Sequence, residues 1–104
     1  MTAVVVVATI RPRPEYRAEV IAAMAKTIAD VHARDDGCLL YALHEGDDRL
    51  VMVEKWASQQ ALDAHAKGPN LAVLGPKLAG KVTAAPEVIV LQPAPAGAPA
   101  KGAV

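Results

Sequence analysis

The stretch "CLLYALHEGDDRLVMVEKW", residues 38–56, holds two strand-like runs, "CLLYALHE" (38–45) and "RLVMVEKW" (49–56), separated by the turn residues "GDD". Two such runs about a short polar loop read as an antiparallel hairpin. Side chains alternate along a strand, so Leu50, Met52, Glu54 and Trp56 share one face while Val51, Val53 and Lys55 look the other way. The same alternation groups Cys38, Leu40, Ala42 and His44 on one side of the first run, opposite Tyr41.

Upstream, "AVVVVATI" (3–10) is β-branched and too short for a stable helix, so it reads as a strand. "RPRP" breaks that pattern, and Pro14 suits a first helical turn, where its missing N–H costs nothing. Tyr16, Val20, Met24, Thr27 or Ile28 and Val31 then recur at helical spacing, which predicts an amphipathic helix of about five turns stopped by Gly37. Downstream, Ser58 is a helix N-cap for residues 59–67. "KGPN" interrupts that helix before a second piece, "LAVLGPKLAG", and "VTAAPEVIVLQ" supplies a last strand, irregular or on an edge near Pro86. The order strand, helix, strand, strand, helix, strand is that of an α+β, ferredoxin-like split βαβ sandwich. Residues 1–92 form this domain. Residues 93–104, "PAPAGAPAKGAV", lack periodicity and read as a disordered or loosely docked tail.

Two helices cover one face of a four-stranded sheet, yet both faces carry apolar groups. The uncovered face calls for a second sheet, most economically a two-fold copy, so a homodimer is expected. The 104 residues suit a single core. Eleven basic and eleven acidic residues cancel without a basic block, which argues against nucleic-acid binding. The lone Cys38 excludes an internal disulfide and fits a reducing, cytoplasmic setting. No apolar run approaches the roughly 20 residues that span a bilayer, and the apolar start lacks the marks of a signal peptide.

The candidates for chemistry are few. His65 falls on the apolar stripe of the second helix with Ala61, Leu62 and Ala66. It is either a base, hydrogen-bond donor or haem ligand facing a cavity, or a core histidine satisfied by a backbone carbonyl. Glu54 either pairs with a Lys or Arg or orients His65. His44 enters the cavity or the dimer interface, or has a cross-strand structural role, and Asn70 either caps the following helical piece or contacts substrate. His32 is a solvated cation at a helix C-terminus. The histidines and the cysteine lack metal-ligand spacing, so no metal is expected. No phosphate-cradling glycine loop or nucleophile elbow occurs.

"DGCLLYALHEGDDRLVMVEKWASQQALDAHAKGPN" (36–70) resembles the central signature of the antibiotic biosynthesis monooxygenase family, which includes quinol monooxygenases. The likeness lies in the Gly-Cys strand start, Tyr and His on the second strand, Glu-x-Trp ending the third, then Ser, Ala-Leu and His. It extends over nearly the whole chain apart from the tail. The resemblance implies a dimeric α+β barrel with a cavity between sheet and helices in each subunit. It further implies a cofactor-independent monooxygenase that oxidises a quinol or phenolic polycycle with O2. His65 would be the base and Trp56 would stack on or hydrogen-bond the ring, with Tyr41, His44, Glu54 and Asn70 as substrate-binding candidates. Two departures stand out: Pro69-Asn70 replaces the "PH" pair of many relatives, and the first strand lacks the Asn used by the haem-degrading branch. The alternatives are a haem-binding or haem-degrading protein and a non-catalytic dimeric module for an apolar ligand.

Overall fold

The computed structural model describes residues 2–104. Its elements are β1 (Val4–Ile10), a 3₁₀ turn (Pro14–Tyr16), α1 (Arg17–Arg34), β2 (Cys38–Glu45), β3 (Leu50–Trp56), α2 (Gln59–Ala66), α3 (Pro69–Leu78) and β4 (Glu87–Leu91). The strands form one sheet in the order β2-β3-β1-β4, with every neighbouring pair antiparallel. This is the ferredoxin-like α+β fold expected from the sequence. No helix among the described residues is long and apolar enough to cross a membrane.

Alternation decides which residues meet the helices. Val4, Val6, Ala8 and Ile10 of β1, Leu50, Met52 and Trp56 of β3, and Tyr41 of β2 all lie on the helix-covered face, none more than 8 % exposed. Val20, Met24, Thr27 and Val31 of α1 pack onto them, which is the stripe expected from the helical period, with Thr27 rather than Ile28 fully inside. Leu62 and His65 of α2 and Leu74 and Leu78 of α3 complete the layer.

Three local expectations are corrected. The helix α1 does not end on a glycine cap: Asp35 follows it in an extended conformation, and Gly37 does not have positive φ. Gly37 is instead required by packing, because a Cβ there would run into Ala61 Cβ on α2. A bulge between Cys38 and Leu40 turns Cys38 onto the face of Trp56, its register partner, and away from Ala42 and His44. Finally, α3 begins at Pro69 with Gly68 at its N-cap, so Asn70 lies inside the first turn and does not cap it.

The other sheet face is only partly covered. Lys55, Val5 and Leu91 form a row across it by register, and the C-terminal segment folds back onto this row. Val5 is 8 % exposed there, and Lys55 Nζ donates to the Val104 backbone oxygen at 2.8 Å. The segment is closed by a turn in which Gly102 N–H donates to Ala98 O at 2.8 Å, so residues 93–104 are a docked arm. Beyond that row, Ile89 of the edge strand β4 stays 52 % exposed beside half-buried Val7 and Val53.

Candidate active site

The site begins at the end of α1. Asp35 N–H makes the last helical bond to Val31 O at 3.0 Å, and Asp35 O accepts from Cys38 N–H at 3.0 Å. Two residues on, Gly37 O accepts from Ala57 N–H at 2.9 Å, tying this corner to the end of β3. These bonds hold the Asp35 side chain toward α2. The start of α2 is fixed by Ser58, whose Oγ accepts from Ala61 N–H at 3.1 Å, an N-cap worth about 1 kcal/mol. Two turns later His65 meets the carboxylate.

His65 Nδ1 lies 2.7 Å from Asp35 Oδ2, and Asn70 Nδ2 donates to Asp35 Oδ1 at 3.1 Å. Both carboxylate oxygens are therefore used. The His65 side chain is 4 % exposed and that of Asp35 17 %. A carboxylate only accepts, so Nδ1 carries a proton, and in the neutral ring Nε2 is the atom with the lone pair. Nε2 has no hydrogen-bond partner among the described residues.

The imidazole is seated by two aromatic rings. Its centroid is 4.3 Å from that of Trp56 with a tilt of 31°, and 5.2 Å from Tyr41 in an edge arrangement at 71°. Trp56 and Tyr41 meet edge to face at 6.0 Å. Such ring pairs add about 0.5–1.5 kcal/mol each to their burial and fix orientation. Trp56 Nε1 donates to Glu54 Oε1 at 3.0 Å. One indole thus holds both the histidine and the carboxyl group.

Glu54 is 5 % exposed and has no Lys or Arg partner among the described residues. Burial raises its pKa above the ordinary carboxyl value, opposed in part by the Trp56 bond and the nearby His65. Burial, followed by the carboxylates of Glu54 and Asp35, likewise pushes the Tyr41 hydroxyl above its ordinary range. Burial first, then the same two carboxylates, raise the Cys38 thiol, which makes it a poor nucleophile.

A cavity of about 300 Å³ lies between the sheet and α2 and α3. Its polar groups are Tyr41, Glu54 and His65. The remaining wall is apolar: Val6, Ala8 and Ile10 from β1, Met24 and Met52, and Leu71, Leu74 and Leu78 toward the rim at Val88. On the far side of the His65–Asp35 pair a second, more polar cleft opens among Arg34, Asp36, Ser58 and Gln60.

The sequence-derived candidates are distributed as follows. His65, Tyr41 and Glu54 line the apolar cavity together. Trp56 is fully buried behind them, in contact with His65 and Glu54, and is absent from the wall of this cavity; it borders the second cleft instead. Asn70 does not line the cavity; it clamps Asp35. His44 pairs with Val51 on the opposite sheet face, exposed and outside the cavity, because it is odd in register with Tyr41. His32 Nε2 lies 3.0 Å from the Tyr41 carbonyl, tying α1 to the edge strand. The residue that sequence reading missed is Asp35. It lies 30 positions from His65 in a loop after a helix, and the only signal was its place beside the Gly-Cys strand start.

A family model described as antibiotic biosynthesis monooxygenase matches residues 3–73. Over 69 residues, 64% of this chain and 67% of the relative, the sequence is 38% identical to Rv0793 of Mycobacterium tuberculosis, which is named as a proposed monooxygenase. The solved structure of Rv0793 superposes with a TM-score of 0.84 at 29% identity, covering 93% of this chain and 100% of that one. A crystal structure from Caulobacter crescentus, described as a proposed antibiotic biosynthesis monooxygenase, gives a TM-score of 0.83 at 26% identity, covering 88% of this chain and 89% of that one. With the family model spanning most of the described fold and the site residues lying largely within it, the chain belongs to the antibiotic biosynthesis monooxygenase family.

Proposed function

We propose that the protein is a monooxygenase that oxidises a quinol or other hydroxylated aromatic with O2, without help from flavin or metal. The observation that carries this reading is the oriented base. Asp35 accepts from Nδ1 of His65, which leaves Nε2 of the neutral ring as the basic atom, and His65 lines an apolar cavity of about 300 Å³. A base in that state removes a phenolic or enolic proton, and the low-polarity surroundings leave the resulting anion poorly solvated and electron-rich. The anion gives its electrons to O2, forming a carbon–oxygen bond and a peroxide. Collapse of the peroxide leaves one oxygen atom on carbon as a carbonyl and releases the other as water. Over the whole reaction the CH2 group of the substrate's keto form and O2 become C=O and H2O.

Fourteen or more carbons of a flat polycycle need not be enclosed for this chemistry, only the reacting ring edge near His65. The apolar remainder of the wall suits an aromatic body, and its rim between α3 and β4 supplies the way in. The protein acts as a homodimer in this reading. The apolar row of half-buried Val7 and Val53 and exposed Ile89 on the open sheet face is the surface that a second copy covers.

The test is oxygen uptake by metal-free, cofactor-free protein with a panel of quinols and anthrones, corrected for autoxidation. Wild type is expected to catalyse uptake and His65→Ala to lose it by about 10²–10⁴-fold, the usual weight of a positioned base. Uptake that survives in H65A would remove the base from this account.

A further inference from the structure

We infer that Glu54 is the general acid of the reaction, donating the proton that lets the peroxide oxygen–oxygen bond break. This rests on the monooxygenase reading and assigns a second catalytic group within the same cavity.

The argument starts from what the second half of the reaction requires. Addition of O2 to the substrate anion, followed by return of a proton from His65, leaves a hydroperoxide on carbon. To finish, the proton on that carbon must leave, the C=O bond must form, and the O–O bond must break with departure of hydroxide. Hydroxide is a poor leaving group in an apolar pocket, and a positioned acid converts it to water. His65 cannot serve both needs at once, because it is taking the carbon-bound proton. A second group facing the same space must hold a proton.

Two other polar groups line the cavity, Glu54 and Tyr41. Glu54 is built for the task by its surroundings. It is 5 % exposed and lacks a cationic partner among the described residues, and its Oε1 accepts from Trp56 Nε1 at 3.0 Å, which leaves Oε2 to carry a proton. A buried carboxyl group without a cation favours its neutral form, and burial does raise Glu54. Tyr41 is shifted in the same direction from a far higher starting value, so it gives up its proton much less readily. Glu54 is also tied to the base: the indole that bonds its carboxyl group stacks at 4.3 Å on His65.

The proton balance closes within the pair. His65 Nε2 accepts the carbon-bound proton as the C–H electron pair becomes the C=O bond. The O–O electron pair leaves with the outer oxygen, which takes the Glu54 proton to become water. His65 is left protonated and Glu54 ionised, and transfer of one proton from the first to the second restores both.

The test compares wild type with Glu54→Gln, using a hydroxyanthrone and O2, by simultaneous oxygen uptake, quinone formation and mass spectrometry of quenched samples. Glutamine keeps the shape and the acceptor for Trp56 but carries no acidic proton. Wild type is expected to form one quinone per O2 consumed. E54Q is expected to take up O2 in a first turnover close to the wild-type rate. It should then form quinone about 100-fold more slowly, with a species two oxygen atoms heavier than substrate accumulating. Glu54→Asp retains a proton donor and is expected to clear that species faster than E54Q. Quinone formation by E54Q at the wild-type rate, or equal loss of uptake and product without the heavier species, would overturn the inference. Absence of catalysed uptake by wild type would instead overturn the monooxygenase reading and this inference with it.

Discussion

Replacing Asp35 by Asn changes one atom of the site and should invert its chemistry. Asn70 Nδ2 donates to Asp35 Oδ1 at 3.1 Å, while His65 Nδ1 lies 2.7 Å from Oδ2. In D35N, keeping the Asn70 Nδ2 donor bond puts the side-chain oxygen toward Asn70. The new NH2 group therefore faces His65 Nδ1, which must become the acceptor. The ring proton then moves to Nε2, and the cavity meets an N–H donor where it had met a lone pair. The same carboxylate-to-amide change in the serine-protease triad inverts the histidine tautomer and costs about 10⁴ in kcat. Here the loss expected is about 10²–10⁴-fold in oxygen uptake, or about 3–5 kcal/mol of barrier. Exchanging a charge-assisted hydrogen bond for a neutral one should cost only about 1 kcal/mol of stability. D35N is thus expected to fold, lose turnover and keep substrate binding. Nitrogen-15 NMR of the imidazole reports the tautomer directly, and urea denaturation reports the stability. A D35N protein whose His65 proton stays on Nδ1, or whose turnover is within about threefold of wild type, would refute the orienting role of Asp35.

Two further outcomes follow from the same geometry. Because burial raises Glu54 above its ordinary value of 4.5, the folded state binds its proton more tightly than the unfolded chain does. That contribution to stability is complete below about pH 4.5 and is lost as pH rises through the folded-state pKa, each tenfold difference in proton affinity being worth about 1.4 kcal/mol. E54Q should therefore match wild type in acid and become relatively more stable toward neutral pH, as read from urea midpoints between about pH 4 and 8. A gap that does not change with pH would contradict the burial argument. On the open sheet face, Val53→Glu places a charge in the row Val7, Val53 and Ile89. Light scattering is expected to show a dimer for wild type and a monomer for the variant, and a wild-type monomer at micromolar concentration would refute the proposed association.

Much of this architecture was legible in residues 38–56 and their neighbours, because strand alternation and helical periodicity are local properties of the chain. The grouping of Leu50, Met52, Glu54 and Trp56, the inward stripe Val20, Met24, Thr27 and Val31, and the inward placement of His65 all follow from a period of two or 3.6 residues. Periodicity assumes an unbroken element, however. The bulge beside Leu39 and the extended turn at Asp35 break it, which is why the facing of Cys38 and the end of α1 depart from the periodic pattern.

The sequence by itself determined the fold, the family, the common face of Glu54 and Trp56, and the place of His65 on the apolar stripe of its helix. Tertiary structure alone decided what each of them touches. It withdrew Trp56 from the cavity wall to bond Glu54, turned Asn70 from a cap into a clamp, left His44 on the opposite face, and brought Asp35 across 30 residues to His65. The physical reason is one of range. Secondary structure fixes the direction of a side chain along its own element, whereas a hydrogen-bond partner at 2.7 Å depends on how separate elements pack, and no local pattern encodes that distance.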